Sequence, residues 1–160
     1  MLFVLMRRVT KTLINGSWEG GALSSVTLSF QNRYRRKLRM CDDKGMEFFL
    51  DLAETTQLFD GDALVLDDGD LICVKAAKED ILEISCETVN QLARIAWHIG
   101  NRHIPAQFLD NNTFRILYDH VLEGMVVGLG AKTLRRKLPF SPERGAYSES
   151  NISNGHPHAH

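Results

Sequence analysis

The spacing of hydrophobic and polar residues changes once along the chain, near residue 78. Before that point, apolar residues stand in short runs rich in β-branched and large side chains, which is the pattern of strands. The predicted strands are 25–30, 37–41, 47–52, 63–66 and 71–76. Segments rich in Asp and Gly separate them at 43–45, 60–62 and 67–69, where a tight turn needs local hydrogen bonds or a positive φ. This part of the chain is therefore predicted to be all-β.

Helical periods appear in the second half. A helix is predicted to begin at Thr88, where Gln91 completes a capping box, and to stop at Gly100, just past its end. A second helix is predicted between the cap Asp119 and Gly130. Strands complete the order βαββαβ at 81–86, 104–109, 113–118 and 132–138, with a hairpin turn at 110–112. That order is typical of a ferredoxin-like domain, in which two helices cover one face of an antiparallel sheet.

The chain is therefore predicted to be an α+β protein of two domains and a tail. Residues 1–77 are expected to form an N-terminal all-β domain, and residues 78–140 a ferredoxin-like domain. The only hydrophobic residues of the segment 141–160 are Ala146, Tyr147, Ile152 and Ala159. Such a segment cannot bury enough apolar surface to offset the entropy of ordering it, so we expect a disordered tail.

Composition narrows the classes of partner. With 44% hydrophobic and 24% charged residues the chain is of ordinary globular type, and its net charge of −1 offers no global excess to attract nucleic acid. The longest apolar run, 1–6, is far shorter than the roughly 20 residues of a membrane span. Cys41, Cys73 and Cys86 are widely spaced and form no CxxC pair. We therefore expect a cytoplasmic protein with reduced thiols and without a membrane or nucleic-acid partner.

Histidines are the main candidate functional residues, and half of them stand at the C-terminus. His156, His158 and His160 alternate with small residues. In an extended chain, residues two apart can reach a common ion, so three imidazoles could converge on one metal. The alternative is an accidental polar terminus or a remnant of an expression vector. Short His-rich tracts are a recognised metal-binding composition, which favours the metal.

Three more histidines lie in the second domain. His98 and His103 are five residues apart, so they do not share the helix face of a zinc-protease motif. Either each is hydrogen-bonded to backbone, or His103 binds metal with help from elsewhere, which a symmetric dimer would supply as a second copy near its axis. His120 follows the cap Asp119 and is either a metal ligand or an exposed residue of the first helical turn.

The basic run 33–39 supports an alternative from another class. Five positive charges and one aromatic residue could bind RNA, or the β domain could bind a peptide, with the histidine tail only a metal buffer. The other interpretation is a solvated strand face, with Leu38 and Met40 turned inward and Arg39 outward. A hydrolytic triad, a nucleophile elbow and a phosphate loop are not recognisable, so we expect no enzyme and assign no catalytic residue.

Four segments together resemble a known family. They are 60–66 (DGDALVL), 99–105 (IGNRHIP), 119–122 (DHVL) and 138–147 (LPFSPERGAY). The chain resembles, in order and over nearly its whole length, the UreE-type urease accessory proteins, a family of nickel metallochaperones.

The resemblance implies a peptide-binding-like N-terminal domain and a homodimer that delivers Ni(II) to the urease apoprotein and its accessory GTPase complex. By position, His103 would share one nickel with its symmetry mate, and His158 or His160 would complete the coordination. His98 and His120 would bind a secondary ion. Imidazole ligands also suit Zn(II) and Cu(II), which could bind in vitro.

Overall fold

The computed structural model describes residues 6–145, which form two sheets and two helices. The first sheet has six strands: β1 (Arg7–Leu13), β2 (Ser24–Leu28), β3 (Tyr34–Cys41), β4 (Glu47–Gln57), β5 (Ala63–Leu66) and β6 (Leu71–Ala76). Their spatial order is β2-β6-β5-β1-β4-β3. A 3-10 turn at Gln31–Arg33 is the one helical segment among the described residues before 78, so the all-β expectation for this part is confirmed.

The core of the first sheet consists of inward-facing aliphatic side chains. Val9, Leu50, Leu64 and Val74 are fully buried. Strand β1 was not predicted, although it supplies Val9 and pairs with both β4 and β5. Its buried residue stands among charged and hydroxyl side chains, which hid the strand pattern in the sequence.

The second sheet carries both helices. Its elements are β7 (Lys78–Ser85), α1 (Val89–Asn101), β8 (Gln107–Phe108), β9 (Thr113–Leu117), α2 (His120–Gly128) and β10 (Lys132–Pro139). The strand order is β10-β7-β9-β8, and every pair is antiparallel. Ile95 and Ile99 of α1 and Val126 of α2 pack with Leu82 and Phe114 of the sheet, so both helices share one core with it.

Turn chemistry follows the sequence prediction closely. Gly45, Gly61 and Gly69 all adopt positive φ in the predicted turns. Asn111 and Asn112 have φ of 57° and 54°, the left-handed pair that joins β8 to β9. The strand predicted at 104–109 is shorter than expected, because Ile104 belongs to the capping turn of α1 and Pro105 has no N–H to donate to a sheet.

The two sheets meet at an aromatic junction. The rings of Phe30 and Phe140 are 5.5 Å apart and edge-on, and Phe140 is fully buried. The buried guanidinium of Arg33 donates to the carbonyl of Phe140, and the backbone N–H of Phe30 donates to Glu79 at 2.8 Å. Burial lowers the pKa of Arg33, and the charge of Glu79 opposes that shift. The end of β10 is therefore fixed to the first sheet.

The segment that follows Phe140 contacts the rest of the protein. The backbone N–H of Glu143 donates to the carbonyl of Ala106 at 2.9 Å, and Arg144 forms an ion pair with Asp62 at 3.0 Å. Residues 141–145, which we expected to be part of a disordered tail, are therefore held by contacts to the loops that precede β8 and β5. No helix within 6–145 is long and apolar enough to cross a membrane.

Candidate metal centre

Helix α1 ends in a Schellman motif with a histidine in the glycine position. The backbone N–H of His103 donates to the carbonyl of Gly100 at 2.9 Å, and that of Ile104 donates to Ile99 at 3.3 Å. His103 accordingly adopts the left-handed conformation, with φ of 57°. Gly100, which the sequence predicted as the stop, instead lies inside the helix.

Helix α2 ends in the same motif with the usual residue. Gly130 has φ of 91°, its N–H donates to Val127 at 3.0 Å, and the N–H of Ala131 donates to Val126 at 3.1 Å. The two helix ends of this domain therefore differ mainly in the residue that takes the left-handed position. A side chain there costs about 1 kcal/mol relative to glycine, although histidine tolerates it better than most residues. Backbone strain of this kind is typical of functional sites.

His103 stands on the surface, at the edge of a large cavity. This cavity has a volume of about 610 Å³ and lies between the two sheets. His103 and Pro105 line one wall, Thr12 and Gln57 line the first sheet's side, and Arg144 comes from the C-terminal segment. The imidazole is exposed, so it is open to a metal ion and to a second protein chain.

His98 lies in the last turn of α1, inside the helix predicted from Thr88 to Gly100, and its surroundings differ from those of His103. Its ring contacts Trp97 edge-on at 5.0 Å, and its carbonyl accepts a hydrogen bond from Arg102 at 2.9 Å. A separate apolar cavity of about 350 Å³ adjoins it, lined also by Ala93 and Leu129. His98 is thus half-buried beside an exposed indole and does not share the cavity of His103.

His120 is the first residue of α2 and is exposed. The carboxylate of Asp119 caps this helix, accepting hydrogen bonds from the backbone N–H groups of Val121 at 2.8 Å and Leu122 at 3.0 Å. The predicted cap is confirmed. The hydrogen bond from Leu122 is the main cause that lowers the pKa of Asp119, with the bond from Val121 acting in the same direction.

The lowered pKa of Asp119 predicts an acid-sensitive helix start. The unfolded pKa is near 3.8 and the folded pKa lies below it, so the cap stabilises the fold above 3.8 and is lost as pH falls through the folded value. We expect Asp119→Ala to lower the urea midpoint at pH 7 and to approach wild type in acid. Asp119→Asn retains an acceptor without ionising, so it should lose less stability at pH 7 than Asp119→Ala. An Asp119→Ala deficit independent of pH would contradict the assignment.

The described residues do not assemble a complete metal site by themselves. Within 6–145, no group of three His, Cys, Asp or Glu side chains is arranged to hold an ion. His98, His103 and His120 occupy three separate places on the second domain. His156, His158 and His160 lie outside the described residues, so their placement stays a prediction.

The basic run is not a free cationic stripe. Arg33 is fully buried at the junction, Lys37 pairs with Asp51 at 3.1 Å, and Arg39 pairs with Glu47 at 2.6 Å. Met40 is buried as predicted, whereas Leu38, on the same side of the strand, stays 41% exposed. Strand β3 is an edge strand, which leaves one side of Leu38 without a covering neighbour. These ion pairs weaken the case for RNA binding through this strand.

Sequence reasoning missed the ion pair of Arg144 and Asp62. Asp62 is 4% exposed and also accepts hydrogen bonds from the backbone N–H groups of Asn15 and Phe59. The guanidinium of Arg144 lies 3.8 Å from the ring centroid of Phe59. The sequence signals the turn at 60–62 but not an arginine more than eighty positions later in the chain.

Fold and site together define a two-domain α+β protein that presents a strained, exposed histidine where its two sheets meet. Two family profiles match the chain: the UreE urease accessory protein N-terminal domain over residues 8–77, and the C-terminal domain of the same family over 79–160. The chain therefore belongs to the UreE urease accessory protein family.

Individual relatives agree with the profiles. The urease accessory protein UreE of Bradyrhizobium sp. (strain BTAi1 / ATCC BAA-1182) is 48% identical over 151 residues, covering 94% of this chain and 73% of the relative. That of Beijerinckia indica is 43% identical over 145 residues, covering 91% of this chain and 83% of the relative. That of Rhodobacter capsulatus is 42% identical over 154 residues, covering 96% and 94%. The resemblance stated from the motifs is thus confirmed.

Proposed function

We propose that this protein takes part in urease maturation as a nickel metallochaperone, binding Ni(II) and delivering it to the urease apoprotein and its accessory GTPase complex in the cytoplasm. The observation that carries the proposal is His103, an exposed imidazole held at a position where the fold itself would favour glycine. Membership in the urease accessory family supplies the destination of the metal. The protein acts as a carrier, not as an enzyme.

A homodimer completes the site. One imidazole is too few to hold Ni(II), and residues 6–145 offer no group of three ligands. A two-fold axis near His103 doubles the ligand. Helix α1 supports such a contact, because Val89 is 70% and Trp97 is 64% exposed, and Ala93 lies between them at helical spacing. Exposed apolar side chains aligned in this way are typical of a protein interface.

The terminal histidines supply the remaining ligands. His158 or His160 would join the two copies of His103, so that nickel is held by a rigid pair from the fold and by replaceable ligands from the chain end. Ligands at the end of a chain can dissociate one at a time without disturbing the core, which allows the ion to pass to a receiving protein. His98 and His120 are assigned to a secondary ion, and Zn(II) or Cu(II) would compete for imidazole in vitro.

We infer that the second domain is ferredoxin-like, as predicted from the sequence. Its elements follow the order βαββαβ, and its sheet order β10-β7-β9-β8 places the first and third strands in the centre. Both helices pack on one face. This arrangement brings the end of α1 to one margin of the sheet, where His103 is exposed.

Truncation after Asn154 tests the role of the terminal histidines. We expect nickel affinity, measured by calorimetric titration, to fall about 10-fold or more, because the ligands held at high effective concentration are removed. The matched control is the full-length chain with His156, His158 and His160 all changed to alanine, which should lose the same amount. Unchanged affinity in both forms would show that the terminal histidines are not nickel ligands.

RNA or peptide binding that survives removal of the metal by a chelator would favour the alternative function.

A further inference from the structure

Two neighbouring strands of the first sheet separate and leave an open notch. Strands β1 and β4 are parallel and pair only from Arg7–Phe48 to Val9–Leu50. Beyond that point β1 pairs only with β5, and β4 continues toward Gln57 with only β3 beside it. We define the notch as the gap between residues 10–14 and 51–57.

On the notch side, β4 has no neighbouring strand beyond Leu50 among the described residues, although the Thr56 hydroxyl donates to the carbonyl of Glu54 at 3.1 Å. The pairing of β4 with β3 jumps from Lys37–Asp51 to Arg35–Thr56, so residues 52–55 have no register partner on either side within the described part of the chain. Ala53, Glu54 and Thr55 are exposed. An unpaired strand edge of this kind is a template for an added strand.

The C-terminal segment enters this notch. Residues 142–145 line the cavity into which the notch opens, together with Thr12, Ile14 and residues 54–57. Arg144 is fixed there by its ion pair with the buried Asp62 and by its contact with the ring of Phe59. The chain is thus held at the notch immediately before residue 146.

We propose that the notch is the docking site of residues 146–152 of the same chain, which add to the edge of β4 as an extended segment. The segment begins at the notch, because the contacts of Arg144 fix the chain two residues before Ala146. Tyr147 and Ile152 favour extended structure and supply apolar side chains. Phe30, Phe59 and Ile14 in the cavity offer apolar surface to receive them.

Docking would bring the terminal histidines to the metal site, a consequence that rests on the proposed function. His103 lines the same cavity as the notch residues. With residue 152 docked, only a few residues separate the anchored chain from His156. A tether shortened from about eleven residues to about four raises the effective concentration of the imidazoles roughly fivefold, because that concentration falls as the −3/2 power of length.

Hydrogen–deuterium exchange of the metal-free protein tests the docking. We expect backbone amides of 52–55 to exchange at least ~10-fold faster in a chain truncated after Gly145 than in the full chain, whereas a chain truncated after Asn154 behaves like the full chain. The full-length double variant Tyr147→Ser, Ile152→Ser should also exchange faster, without any change in length. Equal exchange at 52–55 in all these forms would overturn the proposal.

Two further measurements test which copy of the chain supplies the docked segment and whether Arg144 holds it in place. In the first, the unlabelled full-length chain is mixed with an isotope-labelled chain truncated after Gly145. If mixing slows amide exchange at 52–55 of the labelled chain, the segment docks on another copy, and docking within one chain is wrong. Arg144→Ala should speed exchange at 52–55 at least threefold. Arg135→Ala is the matched control, because Arg135 also pairs with an aspartate, Asp80, and lies over the ring of Tyr118, but in the second sheet, and it should leave 52–55 unchanged. Since no metal is present, failure here leaves the nickel proposal intact, and failure of nickel binding leaves the docking intact.

Discussion

His103→Gly is expected to weaken nickel binding by at least ~100-fold while making the fold more stable. The substitution removes both rigid ligands from the shared site. Its effect should therefore exceed the 10–100-fold loss of affinity that is typical when a residue supporting a ligand is replaced. Glycine meanwhile accepts φ of 57° at the end of α1 without steric cost, so the free energy of unfolding should rise by about 1 kcal/mol. Calorimetric titration measures the first effect, and urea unfolding measures the second.

Three other substitutions separate the ligand from the backbone. His103→Asn tolerates the left-handed position and removes the imidazole, so it should lose nickel at near-wild-type stability. His103→Ala should lose nickel without the gain in stability. Gly130→Ala is the matched change at the end of α2 and should destabilise by about 1 kcal/mol, since an added Cβ also meets the Gln91 amide at 2.9 Å. Nickel affinity preserved in His103→Asn would show that the imidazole is not a ligand.

Phe140→Ala is expected to lower the free energy of unfolding by about 3–4 kcal/mol. The ring is fully buried, and its loss leaves a cavity between the sheets and removes the edge-on contact with Phe30. The indole N–H of Trp18 donates to the carbonyl of Gly61 in the first domain, and Trp97 lies on α1 in the second. Variants that keep only one of these tryptophans would therefore report the urea unfolding of each domain separately by fluorescence.

Phe108→Ala is the control for that substitution. Phe108 is 44% exposed and stacks on Phe114 at 5.5 Å in the second sheet, away from the junction. We expect a loss of about 1 kcal/mol, because much of its ring is already in water. If Phe140→Ala cost no more than Phe108→Ala, the junction would contribute little to stability.

Much of the second domain could be predicted because its local signals agree with its packing. Thr88 accepts a hydrogen bond from the N–H of Gln91 at 3.1 Å, as predicted, although the Gln91 side chain accepts from the N–H of Glu87 and not from that of Thr88. Asp119 caps α2. The apolar spacing of both helices reflects a single buried face. Strand β10 was predicted at 132–138 and observed at Lys132–Pro139, because it pairs with β7 along its whole length and Pro139 is its last residue.

The errors in the fold have identifiable causes. Strand β1 escaped prediction because Val9 is its only fully buried residue, and arginine and threonine side chains interrupt the alternation. The strand predicted at 104–109 was shortened by the end of α1, which extends to Asn101 and continues into its capping turn. The preference for glycine just past a helix end placed the end of α1 at Gly100, whereas the residue with left-handed backbone is His103. A rule based on residue preference fails where a functional residue displaces the preferred one.

The candidate site could be predicted from the sequence only in part. The motif around His103 identified the residue, but nothing in the sequence shows that its backbone is left-handed or that a cavity between the sheets adjoins it. The contacts of Arg144 and Asp62 depend on the relative placement of two sheets, which single-sequence patterns do not encode. His98 and His120 were placed correctly on the ends of their helices, and their metal binding stays a prediction.

Native mass spectrometry with added Ni(II) tests the central claim most directly, since it counts chains and ions in the same particle. We predict a dimer of the full-length chain that holds one tightly bound nickel per two chains, and a dimer of His103→Gly that holds none at the same metal concentration. One tightly bound nickel per single chain, or one per dimer retained in His103→Gly, would contradict a site shared through His103.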